Sequence, residues 1–493
     1  MPGRDPFSPV RSPAMRLTPC THGIRPPEFP ELPWINVDQP LRLDDLLGQV
    51  VMLGFWSSTC IRCQEGLPAM HRALQRFEGR PLQIIAVHSP RFAGEHDLDY
   101  LQSAVERIGV PFAVAVDNDH RLARTFSVRE LPTFALIDPR GYVCRVVRGV
   151  PDPLHLIDAL EGLLGLTDAP DHPHPTLPSS TRPPDRLSYP AGLSATQDRL
   201  AIADTGHHRI VLTRHDGELL ETFGGPEPGF EDGPAEKARF FRPRGLAFVD
   251  DHLLVADTAN HAIRSIDMAR GQVDTLALLP PDDQGQVHAP RALARHGSWL
   301  YIACAGTHTI LRMNLDDHTI EAFAGTGHED SIDGHRRSAA FAQPTGLVMH
   351  DDQLLIIDST SSTLRCLNLR SNRVATLVGK SLFEHGMVDG PPRNALMQHP
   401  RGVTVHRGRI YIADALNCAL RCFDLEHERL QTLDTPELRF PTALTSSGDS
   451  LFVCDTHAHT IWEHNTEAGT WERVTLTRPS EGDEATHTPT PPA

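Results

Sequence analysis

The second half of the chain repeats one internal spacing six times. A proline precedes an Asp by the same number of positions in five copies, and precedes a Cys by that number in the sixth, at these pairs: Pro190 and Asp204, Pro243 and Asp257, Pro290 and Cys304, Pro344 and Asp358, Pro400 and Asp414, Pro441 and Asp455. Successive prolines are separated by the length of a four-stranded sheet with its loops, as in one blade of a propeller. The repeat therefore predicts an all-β propeller with six blades, over residues 187–478.

Extra residues lie just upstream of three of these prolines, at 231–234, 331–334 and 387–391, and each segment contains Asp-Gly. Longer loops at one end of a blade should thicken one face of the disc, and such faces commonly bind ligands. We therefore expect a protein partner or substrate to bind through a face of the propeller. The pattern does not indicate which face, and it carries no signal for the oligomeric state.

The segment around each repeated Asp resembles the NHL repeat, most clearly in Ala-Asp-Thr-Ala-Asn-His-Ala-Ile at 256–263. Histidine recurs at one place in four copies, as His208, His261, His308 and His459. A ring of histidines would be a candidate set of metal ligands. Because Ser362 and Cys418 take the same place in the other two copies, a hydrogen bond between neighbouring blades is the favoured interpretation. No metal is predicted.

Before residue 166 the pattern changes to alternating strands and helices, which is typical of an α/β domain. Predicted strands cover 50–56, 82–88, 112–116, 133–137 and 142–147, and predicted helices cover 64–77, 97–108 and 153–164. Residues 166–186 are rich in proline and predict a stiff linker. Residues 1–29 and 479–493 predict a disordered leader and tail. The two folded domains are then 30–165 and 187–478, as expected for 493 residues, which exceed a single core.

Two cysteines, Cys60 and Cys63, directly follow the strand at 50–56 and open a helix. The N-terminus of a helix carries partial positive charge and unbonded N–H groups, which stabilise a thiolate on the first cysteine. The spacing lets the second cysteine attack a mixed disulfide formed by the first. We therefore predict that Cys60 is the nucleophile and Cys63 the resolving thiol, with Arg62 favouring the thiolate further.

This segment resembles the thioredoxin-like family, over about residues 30–165. The features that match are Phe55-Trp56, the two cysteines, Pro68, Leu131-Pro132-Thr133 and Asp138-Pro-Arg-Gly-Tyr142. The resemblance implies a thiol-disulfide oxidoreductase without a cofactor, in which a loop at Leu131, Pro132 and Thr133, together with Trp56, contacts the substrate chain. Gly54 stands where thioredoxin has a buried acidic residue. The proton acceptor for Cys63 is therefore missing there, which predicts slow reduction of general disulfides.

The order of the two halves, thioredoxin-like domain and then NHL propeller, resembles the NHL repeat-containing protein 2 family. The leading hypothesis is an oxidoreductase whose propeller recruits a protein. The alternative is a non-enzymatic scaffold in which Cys60 and Cys63 are only structural. A zinc site is disfavoured because no second Cys or His pair follows at finger spacing. A peroxiredoxin is disfavoured because the pattern Pro-x-x-x-Thr-x-x-Cys is absent around Cys60. Catalysis in the propeller is not supported by any cluster of carboxylates in the sequence.

Charge and hydropathy exclude two classes of partner. The formal net charge of -17 should repel phosphate backbones and anionic membranes. No run of about 18 apolar residues is present, and residues 1–30 lack the apolar stretch of a secretory signal. We therefore expect a cytoplasmic protein without nucleic acid or membrane partners. Nine cysteines are too sparse for a disulfide scaffold, so those of the propeller, Cys304, Cys366, Cys418, Cys422 and Cys454, are expected to be buried free thiols.

Overall fold

A computed structural model describes residues 23–150, 152–166, 183, 185–282 and 285–478 of the chain. The contacts divide it into two compact units that separate between residues 180 and 181. Most of the predicted leader, linker and tail lies outside the described residues, so these three predictions stay predictions. Among the described residues, no helix is both long enough and apolar enough to cross a membrane.

The first unit contains a six-stranded mixed sheet. Its strands are β1 (Trp34–Ile35), β2 (Val50–Trp56), β3 (Leu82–His88), β4 (Ala113–Val116), β5 (Thr133–Ile137) and β6 (Val143–Arg148), and their order in the sheet is β1-β4-β3-β2-β5-β6. β2, β3 and β4 are parallel to one another, and β1, β5 and β6 pair antiparallel. Every residue of β2 is buried, as its continuous apolar run predicts for a central strand.

Four helices flank this sheet: α1 (Ile61–Arg76), α2 (Leu98–Ile108), α3 (Arg121–Thr125) and α4 (Pro153–Leu164). Asp97 caps α2 by accepting a hydrogen bond from the Tyr100 N–H, and the left-handed Gly109 ends the helix. The apolar residues form two clusters, and one of them contains both Cys60 and Cys63. This is the thioredoxin-like architecture that the sequence predicts.

Residues 23–29, which the sequence assigns to the leader, contact this first unit. Ile24 forms a β-bridge with Val143, and Phe29 packs against the apolar cluster that includes Leu43 and Leu46. The carboxylate of Glu28 accepts hydrogen bonds from the backbone of residues 29, 43 and 44. Residues 23–29 of the predicted leader therefore pack on the first unit, and the rest of the leader lies outside the described residues.

The second unit is a propeller of six antiparallel sheets. Blade 1 contains β7 (Gly192–Ala195), β8 (Leu200–Asp204), β9 (Arg209–Thr213) and β10 (Leu219–Gly224); blade 2 contains β11 (Gly233–Pro234), β12 (Leu246–Val249), β13 (His252–Asp257), β14 (Ala262–Asp267) and β15 (Gln272–Leu278); blade 3 contains β16 (Pro290–His296), β17 (Trp299–Cys304), β18 (Thr309–Asn314) and β19 (Ile320–Ala324).

Blade 4 contains β20 (Gly334–His335), β21 (Pro344–His350), β22 (Gln353–Asp358), β23 (Thr363–Asn368) and β24 (Arg373–Val378); blade 5 contains β25 (Gly402–His406), β26 (Arg409–Asp414), β27 (Ala419–Asp424) and β28 (Arg429–Thr432); blade 6 contains β29 (Pro441–Ser447), β30 (Ser450–Asp455), β31 (Thr460–Asn465) and β32 (Thr470–Val474). The innermost strands contact one another in the cyclic order β7, β12, β16, β21, β25, β29 and back to β7. The ring is therefore closed, as six copies of the repeat predict.

The repeated spacing from proline to Asp or Cys is the length of one hairpin. In blades 3, 4 and 6 the proline that starts the inner strand pairs directly with the Asp or Cys that ends the next strand, as in Pro344 and Asp358. The carboxylate of Asp358 accepts the backbone N–H of Ala342 at 2.7 Å. The repeated Asp thus holds the chain just before its own inner strand.

The three inserted Asp-Gly segments are part of this structure. Asp389 of the third insertion accepts a hydrogen bond from Arg421 at 2.6 Å and two from Thr432 of the outer strand. Arg421 in turn donates to the repeated Asp414 at 2.8 Å. The same arrangement joins Asp232, Arg264 and Asp257 in blade 2, and Asp333, Arg365 and Asp358 in blade 4. The aspartates of these insertions therefore stabilise their blades internally; ligand binding by this face stays a prediction.

The recurring histidines link neighbouring blades. His208 Nδ1 accepts the backbone N–H of Arg242 at 3.2 Å, and His459 Nδ1 accepts that of Tyr189 at 3.0 Å, which joins the last blade to the first. Ser362 makes the equivalent bond with its hydroxyl, to the N–H of His399 at 3.0 Å. The predicted hydrogen bond between blades is confirmed.

Four of the five propeller cysteines are buried free thiols, as predicted, but Cys418 is exposed. Cys418 occupies the left-handed position of the recurring histidine, with φ of 51°, and its Sγ lies 3.0 Å from the carbonyl of Arg439. The prediction was wrong for this residue, although His308 and Ser362 are buried at the same position of their blades.

Candidate active site

The two cysteines lie at the first turn of α1, where β2 leads into the helix. Cys60 is the N-cap, and its Sγ accepts the backbone N–H of Cys63 at 3.2 Å. The two sulfurs form a disulfide with a Cα–Cα distance of 5.2 Å, within the range of about 4.4 to 6.8 Å that disulfides require. The structure thus brings the predicted nucleophile and the predicted resolving thiol together at a helix N-terminus.

Both cysteines are almost fully buried. Cys60 is 3% exposed and Cys63 is 1% exposed. Protection of the second sulfur is what a resolving thiol needs, but a nucleophile must be reached by another chain. An active pair and a structural pair therefore differ in whether another chain can reach Cys60.

The loop at residues 131–133 packs beside α1. The Leu131–Pro132 peptide bond is cis, and Leu131 packs against the apolar cluster that contains both cysteines. A β-carbon added at Gly66 of α1 would lie 3.7 Å from Pro132 Cγ. Thr133 is buried and donates its hydroxyl to the carbonyl of residue 130 at 2.7 Å. The structure therefore places Pro132 next to the helix that carries the cysteines and Leu131 against their apolar cluster, whereas the side chain of Thr133 is buried and bonded within its own loop.

The other two predicted residues have different surroundings. Arg62 is partly exposed on α1, and its Nη2 lies 3.9 Å from the place of a β-carbon on Gly149, whose N–H donates to the Pro132 carbonyl. Its influence on Cys60 stays a prediction. Trp56 is 2% exposed, and its ring meets the ring of His88 edge-on at 5.3 Å. Trp56 is therefore a core residue here, and a contact with a substrate would require a rearrangement.

The sequence reasoning missed Glu95, which is fully buried beside this site. Its Oε1 accepts hydrogen bonds from the Ser57 hydroxyl at 2.8 Å, the Ser58 hydroxyl at 2.7 Å and the Thr59 N–H at 3.2 Å. These three residues are the whole connection between β2 and Cys60. Three hydroxyl side chains after an apolar strand were the available signal, because buried hydroxyl groups require a polar partner.

The second carboxylate oxygen of Glu95 binds its own loop. Oε2 accepts the backbone N–H groups of Arg91 at 2.7 Å and Phe92 at 3.2 Å. Nε2 of the fully buried His88 lies 3.5 Å from Oε1. Burial alone would raise the pKa of Glu95, but the proximity of His88, with the hydrogen bonds from the serine hydroxyl groups, lowers it well below its usual range. Glu95 is therefore a buried carboxylate held in its ionised form.

The space beside Gly54 explains why no acid stands there. A β-carbon added at Gly54 would lie 2.7 Å from both the sulfur and the methyl carbon of Met70 on α1. Met70 therefore fills the volume that a side chain on β2 would need. The buried carboxylate near the cysteines comes instead from the loop that follows β3.

Within the described residues, no group of three or more His, Cys, Asp or Glu side chains is arranged to hold a metal ion. The chemistry that this arrangement can carry out is that of the two sulfurs. A dithiol at a helix N-terminus can be oxidised to the disulfide and reduced again by exchange with another disulfide or dithiol.

Comparison with known proteins supports both halves of the fold. A family described as the AhpC/TSA family matches residues 27–146. NHL repeat-containing protein 2 of Homo sapiens is 33% identical, over 88% of this chain and 69% of its own. Protein SUPPRESSOR OF QUENCHING 1, chloroplastic, of Arabidopsis thaliana is 34% identical over 83% of this chain and 42% of its own. Thiol-disulfide oxidoreductase ResA of Bacillus subtilis is 33% identical over 22% of this chain and 58% of its own.

Proposed function

Because the chain belongs to the NHL repeat-containing protein 2 family, we propose that it is a thiol-disulfide oxidoreductase whose propeller recruits a protein partner or substrate. The observation that carries the proposal is the position of Cys60 and Cys63. They lie at the N-terminus of α1, and Pro132 of the predicted substrate loop lies beside Gly66 of the same helix. Similarity of the first unit to a thiol-disulfide oxidoreductase supports the same chemistry.

In the proposed reaction the Cys60 thiolate attacks one sulfur of a disulfide in the substrate protein. A mixed disulfide forms, and the released substrate thiolate takes up a proton. The Cys63 thiolate then attacks Cys60 Sγ and releases the second substrate thiolate. The substrate gains two electrons, and the domain is left with the disulfide between Cys60 and Cys63. A dithiol of another protein must reduce this disulfide to complete the cycle.

The helix supplies the electrostatic part of this reaction. At an N-cap, the partial positive charge of α1 and the N–H of Cys63 stabilise negative charge on Cys60 Sγ. Arg62 favours the Cys60 thiolate further, and the loop at residues 131–133 contacts the approaching chain, as extended peptides are bound by main-chain groups in other recognition sites. A cytoplasmic location is part of the proposal, since thiols are kept reduced there.

A cleft in blade 6 supports the recruitment of a protein. It has a volume of about 400 Å³, and the residues that line it are Pro436, Glu437, Arg439, Asp455, His457, Ala458, His459, Trp462 and Arg473. Trp462 lies seven residues after the repeated Asp455, at the place of the buried arginine in blades 2, 4 and 5. No inserted segment precedes blade 6, whose Pro441 follows the previous repeat proline more closely than in any other blade. We propose this cleft, with its indole and two arginines, as the site for a partner segment.

The burial of Cys60 favours one alternative, a scaffold in which the disulfide only stabilises the fold. The two functions differ in the reactivity of the reduced protein. An exchange-active Cys60 must react with small electrophiles as a thiolate, whereas a structural cysteine buried in an apolar cluster reacts slowly or not at all.

The test is alkylation of the reduced full-length protein with iodoacetamide across a range of pH, read by peptide mass spectrometry. Cys418, which is exposed on the propeller, is the control within the same molecule. We expect Cys60 to be alkylated with a pH midpoint below about 8.5, the value of a free cysteine, and faster than Cys418 at neutral pH. Slower alkylation of Cys60 than of Cys418 at every pH would reject the oxidoreductase and favour the scaffold.

A further inference from the structure

The connection between β2 and Cys60 is buried and hydrogen-bonded along its length. Ser57, Ser58 and Thr59 are each at most 1% exposed. The Ser57 carbonyl accepts the N–H of Cys60 at 3.2 Å, and the Ser58 carbonyl accepts Nε2 of Gln64 on α1 at 2.9 Å. The position of these three residues therefore determines where the helix begins and where Cys60 Sγ lies.

One carboxylate ties this connection to the rest of the domain. Three of the five hydrogen bonds that Glu95 accepts come from Ser57, Ser58 and Thr59, and the other two come from the loop after β3. The carboxylate thus cross-links two loops that are 36 to 38 residues apart in the sequence.

The carboxylate of Glu95 is surrounded by groups from three neighbouring elements. His88 approaches from β3 at 3.5 Å, and it is the titratable group paired with Glu95 among the described residues. From α2 comes the Tyr100 hydroxyl, 3.2 Å from the Ser58 hydroxyl, and from α1 the neutral amide of Gln64. Burying a carboxylate costs several kcal/mol before its partners offset the loss. The carboxylate is therefore held here by the donors around it, which include all three residues of the connection before Cys60.

We propose that Glu95 is a positioning residue of the redox site, which acts through Ser57, Ser58 and Thr59 to hold Cys60 in the geometry needed for disulfide exchange. The inference rests on the proposed function of the cysteine pair. Attack on a disulfide requires a fixed line of approach to the sulfur, and a displacement of about 1 Å can slow a positioned reaction about a hundredfold.

The test compares the rate at which reduced full-length variants react with glutathione disulfide, divided by the folded fraction from circular dichroism. Glu95→Leu has a similar size but cannot accept a hydrogen bond, and we expect it to react at least tenfold more slowly than the natural protein. Glu95→Gln keeps one acceptor oxygen for the connection, and we expect it to stay within about threefold. The exposed Glu78→Gln is the control and should not change the rate.

A second pair of variants keeps the test decisive if Glu95→Leu does not fold. Ser57→Ala with Ser58→Ala removes two of the bonds from the other side, and we expect at least a fivefold decrease. The triple variant, which adds Glu95→Gln to the two serine substitutions, should react no more slowly than the slower of Glu95→Gln and the serine variant. The substitutions on the two sides remove the same hydrogen bonds, so their effects should not multiply. Rates within twofold of the natural protein in Glu95→Leu or in the serine variant, or effects that multiply, would overturn the inference.

The inference and the proposed function fail in different ways. If the reduced natural protein does not form the disulfide between Cys60 and Cys63 with glutathione disulfide, and Cys63→Ser keeps no glutathione on Cys60, the proposed function is rejected. If the natural protein reacts and the Glu95 and serine variants react equally well, only the positioning role of Glu95 is rejected.

Discussion

The buried arginine of blade 5 offers a stability prediction for which the chain supplies its own control. Arg421 is fully buried and donates to Asp414 at 2.8 Å, to Asp389 at 2.6 Å and to the carbonyls of Leu396 and Val388. In blade 3 the equivalent positions hold Cys304 and Leu311, and both are buried. One blade of the same ring thus folds with an apolar pair in place of the ion pair.

We expect Arg421→Leu alone to lower the free energy of unfolding by about 3 to 5 kcal/mol, the usual cost of removing one partner from a buried ion pair. Burial raises the pKa of Asp414 to about 6 even with Arg421 beside it. Loss of the arginine charge would therefore destabilise the ionised carboxylate further. The double variant Asp414→Cys with Arg421→Leu places the Cys–Leu pair of blade 3 in blade 5. It should recover most of the loss, to within about 2 kcal/mol of the natural protein, because no buried charge is left at that pair.

Urea unfolding of the full-length variants measures these differences, and hydrogen exchange of peptides from β25 to β28 assigns them to blade 5. Arg429→Leu, which changes an exposed arginine of the same blade, is the control and should shift the free energy by less than about 0.5 kcal/mol. A loss below about 1 kcal/mol in Arg421→Leu, or a double variant no more stable than the single one, would refute the reasoning.

Two further predictions concern single residues. Burial lowers the pKa of His208 to about 4, so between about pH 6.5 and 4 the unfolded chain binds more protons there and stability falls as the pH falls. His208→Ser, which supplies the acceptor that Ser362 already uses, should reduce the loss of unfolding free energy between pH 7 and pH 4.5 by about 2 to 3 kcal/mol in urea titrations; an unchanged pH dependence contradicts this. Gly54→Ala should destabilise the first unit by about 1 to 3 kcal/mol, because its β-carbon meets Met70 at 2.7 Å; unchanged thermal unfolding of that unit would show that Met70 moves freely.

The sequence was most informative where a pattern is long or repeated. The strands at 50–56, 82–88 and 133–137 and the helix at 153–164 have the predicted bounds, since each is a continuous apolar run or a clear helical face. β1 and α3 were not predicted, because two and five residues are too few to show a period. The six-bladed ring followed from the repeat alone, because its constant internal spacing is that of one hairpin.

The features that the sequence did not predict depend on contacts between distant segments. The Asp of each inserted segment meets an arginine 32 residues later in the chain, and only the pairing of strands brings the two together. Glu95 likewise reaches the connection before Cys60 from the end of the next strand. The pair of Cys60 and Cys63 could be predicted because its chemistry requires two cysteines close together in the sequence. Glu95 has no such local signature.

Disulfide exchange by Cys60 can be tested by trapping its mixed disulfide. Reduced Cys63→Ser is incubated with glutathione disulfide and its peptides are mapped by mass spectrometry, with Cys60→Ser treated in parallel. We expect glutathione to stay on Cys60 in Cys63→Ser, because no resolving thiol removes it. The natural protein should instead end with the disulfide between Cys60 and Cys63 and no adduct there. Absence of glutathione from Cys60 in Cys63→Ser, while the exposed Cys418 is modified, would contradict disulfide exchange by Cys60.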